Sequence, residues 1–487
     1  MRHPQPEDPF ASSSPSVQTL PGRAPFRGCP TRPDYAVKII RVNQLSPKKT
    51  NENELSSVAN PIVQLASRTS AEVFANAVGV ITKAPKAVAQ IADTLYTYPF
   101  LVNRNLLNYA DKLVFEYNAH VNNEDVTLSI SELITKYGYS VERHDVRTQD
   151  GYNLHMFRIP SNGSVVFLMH GLGGCADDFV LAGPQSGLAY LLSKEGYDVW
   201  MGNARGNKHS RSHEYLTPSD PEFWDFSWHE IGYYDLPAMI DHTLAISKSD
   251  KLKYIGHSQG TTVFFVMAAE REEYNDKIAL MVALSPVAYM THVKSPLVRL
   301  LSPGTPLIYE VTKSLGLYEL MPDNALTRSL KLLLCGVGPL EDILCSNVLF
   351  LIVGFDLEQL NMTNLPVILS HVPAGSSVKQ LAHYGQGVVS GEFRQFDFGA
   401  KGNLERYGSL IPPKYALDRV RVPVSLFYSD EDWLAHPDDV DRLYNELFNA
   451  VDIHRVPYDQ FNHLDFIFAK EFKRLIYKRL RKLLSLF

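Results

Sequence analysis

Five residues, Gly256-His257-Ser258-Gln259-Gly260, carry the chemistry most legibly. They follow the apolar run 252–255 and precede 261–269, which reads as a helix. A serine at the apex of a strand, turn and helix is a nucleophile elbow, the geometry behind G-x-S-x-G. The turn holds the hydroxyl clear of the sheet in a strained backbone. The positions two before and two after it are crowded, so Gly256 and Gly260 are the residues that fit. A serine hydroxyl is a poor nucleophile at neutral pH. It needs a base within hydrogen-bond reach, and the base needs an orienting acid. After an elbow serine these follow in the order acid, then base, each beyond a late strand. The apolar run 422–428 leads into Ser429-Asp430-Glu431-Asp432-Trp433, and the run 452–456 is followed by Tyr458-Asp459-Gln460-Phe461-Asn462-His463. His463 is the base by position. Asp430 and Asp432 both suit the acid, and spacing alone leaves the choice open. His257 points away from its neighbour and reads as packing, while His436 and His454 are rival bases in or near the right loops.

Attack on a carbonyl creates an oxyanion that needs two N–H donors, each contributing on the order of 3 kcal/mol. The residue after the nucleophile, Gln259, supplies one. The other belongs in the loop after the strand 165–169. His170-Gly171-Leu172-Gly173-Gly174 lets the backbone approach closely, and the Leu172 N–H is the candidate. No metal and no organic cofactor is expected.

These loops need a scaffold. Runs 141–147 and 154–159 alternate and are joined through Asp150-Gly151, a hairpin signal. Runs 165–169, 197–201, 252–255 and 278–284 alternate with the helical segments 188–192, 231–246 and 261–269, which predicts an α/β fold with a mostly parallel sheet. The alternation stops after Pro286 and resumes at 422–428 (strand), 440–448 (helix), 452–456 (strand) and 466–486 (helix). Residues 287–415 are too long for a loop and read as an inserted helical cap or lid. The expected divisions are 1–55, a disordered Pro/Ser-rich start; 56–125, a helical extension that packs on the main domain or seeks a surface; 126–286, the first part of the core; 287–415, the cap; and 416–487, the second part of the core.

The 487 residues are 45% apolar and 21% charged, with a formal net charge of −6, which gives a nucleic-acid role no electrostatic support. No run of about 18 apolar residues exists, so no spanning helix is expected. Four cysteines, Cys29, Cys175, Cys335 and Cys345, are too few for a disulfide scaffold. The first thirty residues show no secretory signal pattern. Basic and apolar residues interleave over 470–484, as in a last helix with a solvated face or one that docks on anionic lipid.

The chain resembles the acid lipases of the α/β-hydrolase fold, which include gastric lipase, lysosomal acid lipase and many insect lipases. The likeness rests on His170-Gly171-Leu172, Gly202-Asn203-Ala204-Arg205-Gly206-Asn207, the elbow with Gln259, and Asn462-His463-Leu464-Asp465-Phe466. It extends to Tyr137-Gly138-Tyr139, Asp150-Gly151-Tyr152, Ser370-His371-Val372-Pro373-Ala374-Gly375 and His383-Tyr384-Gly385-Gln386. The motifs run in order from about Val126 to Ile476, and the stretch before about Asp125 has no counterpart. The resemblance implies Ser258 as nucleophile, His463 as base, Asp432 as acid, Leu172 and Gln259 as oxyanion donors, and a disulfide between Cys335 and Cys345. It also implies a secreted or lysosomal glycoprotein, for which Asn162 and Asn361 head acceptor sequons.

The expected activity is hydrolysis of neutral-lipid esters, triacylglycerols or sterol esters, through an acyl-enzyme. The substrate would be met at a lipid–water interface by a monomer without a transmembrane segment. A short-chain carboxylesterase is the alternative within enzymes. A non-catalytic lipid-binding protein on the same fold is the alternative outside them, and all three relay residues stand against it.

Overall fold

The computed structural model describes residues 123–321, 352–354, 356 and 358–487. The Pro/Ser-rich start, the expected helices up to residue 122, and Cys335 and Cys345 lie outside the described residues.

Strands β1 (Glu142–Arg147) and β2 (Tyr152–Ile159) form the antiparallel hairpin that the Asp-Gly pair predicts. Six further strands follow: β3 (Val165–Met169), β4 (Asp198–Met201), β5 (Leu252–His257), β6 (Ile278–Leu284), β7 (Val424–Tyr428) and β8 (Ala450–Arg455). They lie side by side in the order β1-β2-β4-β3-β5-β6-β7-β8, and a two-residue strand, Ser212–His213, on β2 completes a nine-stranded sheet. From β4 to β8 every pairing is parallel. Strands β3 and β5 are buried at every residue, as helices on both faces require, and the buried Lys253 of β5 donates to the Ser164 hydroxyl at 3.0 Å. Side chains alternate between those faces. Val165, Phe167 and Met169 join one apolar cluster, while Val166 and Leu168 join the other.

The described α-helices of seven residues or more, in chain order, are α1 (Ile130–Lys136), α2 (Leu188–Lys194), α3 (Leu236–Ser247), α4 (Gln259–Glu270), α5 (Thr305–Ser314), α6 (Leu365–His371), α7 (Val378–Ser390), α8 (Gly399–Tyr407), α9 (Pro437–Glu446) and α10 (Lys478–Leu484). Helix α1 begins with a full capping box, Ser129 paired with Glu132. Between β6 and β7 the described residues are mainly helical, with one short antiparallel pair of Glu319–Leu320 and Ser376–Ser377.

The C-terminal segment departs from expectation. The pattern over 466–486 predicts one helix, but the chain makes a single turn at Asp465–Phe468 and resumes at Lys473. Ala469 bridges to Leu360, and the Lys470 and Glu471 amides donate to Gln359. Those partners take the amides that a continuous helix would have used. The basic face of the final helix pairs with the fold's own carboxylates: Arg481 with Glu195 at 3.0 Å, and Arg479 with Asp452. That is the solvated face of a packed helix, with Leu480, Leu483 and Leu484 buried beneath it.

Candidate active site

Five adjacent parallel strands deliver one residue each to the same edge of the sheet. Leu172 follows β3, Ser258 follows β5, Ser285 follows β6, Asp432 follows β7 and His463 follows β8. The carboxyl ends of parallel strands are where open α/β sheets present their ligand crevices.

Ser258 has φ 52° and ψ −120°, a positive-φ conformation that costs a non-glycine residue about 1–3 kcal/mol. Its neighbours over-determine that shape. The Ser258 amide donates to Leu284 O at 3.1 Å, and its carbonyl accepts from the Thr261 amide at 2.8 Å and the Thr261 hydroxyl at 2.6 Å. A Cβ on Gly256 would lie 2.6 Å from Gly260 O, and one on Gly260 would lie 2.2 Å from Met169 O. No side chain fits at either place, which is the physical reason for both glycines. Ser258 is also the N-cap of α4, so the positive end of that helix faces the nucleophile's surroundings.

The Ser258 hydroxyl lies 2.7 Å from Nε2 of His463. On the other side of the ring, Nδ1 lies 2.9 and 3.0 Å from the two carboxylate oxygens of Asp432. The chain of contacts therefore runs from hydroxyl to imidazole to carboxylate. Asp432 and His463 are buried. Burial pushes the Asp432 carboxyl up, but the charge and hydrogen bond of His463, with the Ala435 amide and the Ser285 hydroxyl, outweigh it and hold the pKa below the usual value. Asp430 is elsewhere occupied, in a surface ion pair with Arg455. His257 donates from Nε2 to His463 O at 2.9 Å, and burial pushes it down to about 3. It is a neutral strut for the His463 backbone, a more specific task than packing. His436 caps α9, and His454 packs on Phe427.

The loop 170–174 touches Ser258. A Cβ on Gly171 would sit 3.0 Å from Ser258 Cβ and 3.4 Å from its hydroxyl. The Gly171 carbonyl accepts from His170 Nδ1 at 2.7 Å and from the Gly174 amide at 3.1 Å. Because the peptide is planar and trans, the Leu172 N–H points the opposite way. Among the described residues neither that N–H nor the Gln259 N–H donates a backbone hydrogen bond. His170 is fixed in one tautomer by accepting from the Ala204 amide at 3.1 Å through Nε2, and burial lowers its pKa to about 4.

The remaining motifs support this loop. Asn203 Oδ1 accepts from the Ala176 amide and from Asn207 Nδ2, both at 2.9 Å. The Ala374 amide donates to Gly173 O at 2.6 Å, and the Lys208 amide donates to Ala374 O at 2.7 Å. Arg205 bridges buried Asp235 and Asp150, tying the hairpin turn to α3. Gln259 Nε2 donates to Gln380 Oε1 at 2.6 Å, which joins the elbow to α7. Sequence reasoning gave no separate role to His170, read His257 only as packing, and missed Ser285. For Ser285 the available signal was its place directly after an apolar strand run.

Two groups of metal-ligand type lie close among the described residues, Cys175–Asp177–His209 and His292–His436–Asp438. In the first, Asp177 already accepts from His209 and His371 at 2.7 Å and from Lys208 at 2.6 Å. In the second, His292 is held by Asp439 at 2.9 Å. Hydrogen bonding accounts for both.

Comparison with known proteins agrees with the geometry. A model described as the partial α/β-hydrolase lipase region matches residues 130–183, and one for the α/β hydrolase fold matches 164–306. The chain is 43% identical to lipase 1 of Drosophila melanogaster over 364 residues, 74% of this chain and 81% of that one. It is 44% identical to Drosophila lipase 3 over 72% of this chain and 91% of the relative. It is 38% identical to the gastric triacylglycerol lipase of Bos taurus over 74% and 92%. With the fold and the ordered motifs, these likenesses make the chain a member of the acid lipase family of α/β-hydrolases.

Proposed function

We propose that Ser258 attacks the carbonyl carbon of a lipid ester while His463 Nε2 takes its proton, with Leu172 and Gln259 N–H groups receiving the oxyanion. Asp432 holds the Nδ1–H tautomer and stabilises the imidazolium. The alcohol then leaves with the proton from His463, and water repeats the cycle on the acyl-enzyme. The observation that carries this reading is the unbroken contact chain from Ser258 Oγ through His463 to Asp432.

The substrate class is a neutral lipid ester, triacylglycerol or sterol ester, met at a lipid–water interface. Residues 287–415 serve as the cap. On α5 and at its C-cap, Leu307, Val311 and Leu315 are 63%, 46% and 67% exposed. At four-residue spacing they form one apolar stripe, the kind of surface that needs an apolar partner. Nearby, Met321 reaches the oxyanion loop: a Cβ on Gly173 would lie 3.5 Å from its methyl group. No described helix is long and apolar enough to cross a membrane. A secreted or lysosomal site is the matching compartment, with Cys335 and Cys345 paired there. Asn162 is exposed and is the more accessible glycan acceptor, whereas Asn361 is occupied with Thr363.

Rates on emulsified triacylglycerol, sterol ester and dissolved short-chain ester test this reading. Ser258→Ala should lower kcat on the order of a millionfold on every substrate. Substantial turnover by that variant contradicts the nucleophile. Equal preference for dissolved short esters contradicts the lipid substrate.

A further inference from the structure

Ser285, the first residue after β6, is buried and has φ 54°. Its amide donates to Phe427 O at 2.9 Å, which ties it to the end of β7. Its hydroxyl oxygen lies 2.5 Å from Asp432 Oδ2 and 2.6 Å from His463 Nδ1.

The chemistry of the three groups fixes the direction of each bond. An ionised carboxylate only accepts, so the Ser285 hydrogen goes to Asp432 Oδ2. The lone pairs of Ser285 Oγ then face Nδ1–H of His463, which is shared between that oxygen and the carboxylate. Asp432 Oδ1 is held separately by the Leu434 and Ala435 amides, each at 2.9 Å. Those two donors come from the carboxylate's own loop. Ser285 is the donor that follows a different strand, and among the described residues it is the one that hydrogen-bonds both Asp432 and His463.

We propose that Ser285 is a positioning residue that clamps Asp432 to His463. It accepts from Nδ1–H, locks the tautomer, and fixes the ring rotation that aims Nε2 at Ser258. It also offers the imidazolium a second acceptor once the proton has moved. The proposal rests on the relay reading above and deepens it. The backbone at this position has φ 54°, and the hydroxyl lies between the carboxylate and the ring.

Two variants separate positioning from structure. Ser285→Ala removes the hydroxyl and keeps the unfavourable φ. Ser285→Gly removes the hydroxyl and relieves that φ, so it folds at least as readily. Both should lose about ten- to a hundredfold in kcat, as outer partners of reacting groups do, with KM changed less than about twofold. In an Asp432→Asn background the same change should cost less than about twofold, because the base has already lost its orienting acid. The rate of Ser258 labelling by a fluorophosphonate should fall in parallel with kcat. A folded Ser285→Gly enzyme with wild-type kcat, or a full loss that persists in the Asp432→Asn background, overturns the proposal. Wild-type enzyme that takes no label at Ser258 overturns the relay itself, which is a different failure.

Discussion

Two regions of the molecule treat their surroundings in opposite ways. At the carboxyl edge of the sheet, His463 contacts Ser258, Asp432 and Ser285 through its ring, while His257 holds its backbone. On α5 and at its C-cap, by contrast, Leu307, Val311 and Leu315 stand in solvent. The first region is set before any substrate arrives, and donors aligned in advance cost nothing to reorganise during reaction. The second is incomplete in water, because an apolar stripe gains by meeting something apolar. A lipase needs both: a fixed centre for the bond, and an unsatisfied surface for the interface.

The largest effect that would break this contrast lies at the acid. Asp432→Asn keeps the shape but loses the tautomer control, so kcat should fall by about 10⁴. The matching Asp430→Asn change removes only an exposed ion pair and should leave kcat within about twofold. Equal effects would mean that the acid is misassigned.

The next effect sharpens the other side. Replacing Leu307, Val311 and Leu315 together by Ser should lower the rate on emulsified triacylglycerol by about tenfold or more, since each lost apolar contact weakens interfacial binding. The rate on a dissolved short-chain ester should not change. Equal losses on both substrates would show that α5 supports the centre rather than the interface.

The smallest effect is in stability. Burial, and then the charge of Asp177, push the Asp178 carboxyl up to about 7. The folded state therefore binds a proton that the unfolded chain releases near pH 4. The stability from that proton is present at low pH and is lost as pH rises from about 4 through about 7. Asp178→Asn does not titrate. Its Tm should match wild type near pH 4 and exceed it by about 5 °C at pH 8. A pH-independent difference would contradict the buried charge.

The legible parts of the sequence were those in which local chemistry dictates spelling. The elbow could be read because Gly256 and Gly260 have neighbouring backbone where a side chain would go. The strands β3 and β6 could be read because burial on two faces demands unbroken apolar runs. The chain order of Ser258, Asp432 and His463 could be read from the order of the strands they follow. What stayed hidden depends on partners distant in the chain. Asp430 and Asp432 are equivalent by spacing; the family resemblance points to Asp432, and the fold supplies the physical difference by giving Arg455 to one and His463 to the other. A serine after a strand looks like any other until β7 and β8 bring Asp432 and His463 to Ser285. The break at Ala469 was invisible because the amphipathic period runs straight through it, while Leu360 and Gln359 intervene from far upstream.

The central claim is that a single serine, activated through one histidine, does the chemistry. A fluorophosphonate reacted with wild-type enzyme, followed by peptide mapping by mass spectrometry, tests it most directly. One adduct on Ser258 is predicted, with labelling abolished in His463→Ala. An adduct on another residue, or undiminished labelling of Ser258 without His463, would contradict the account.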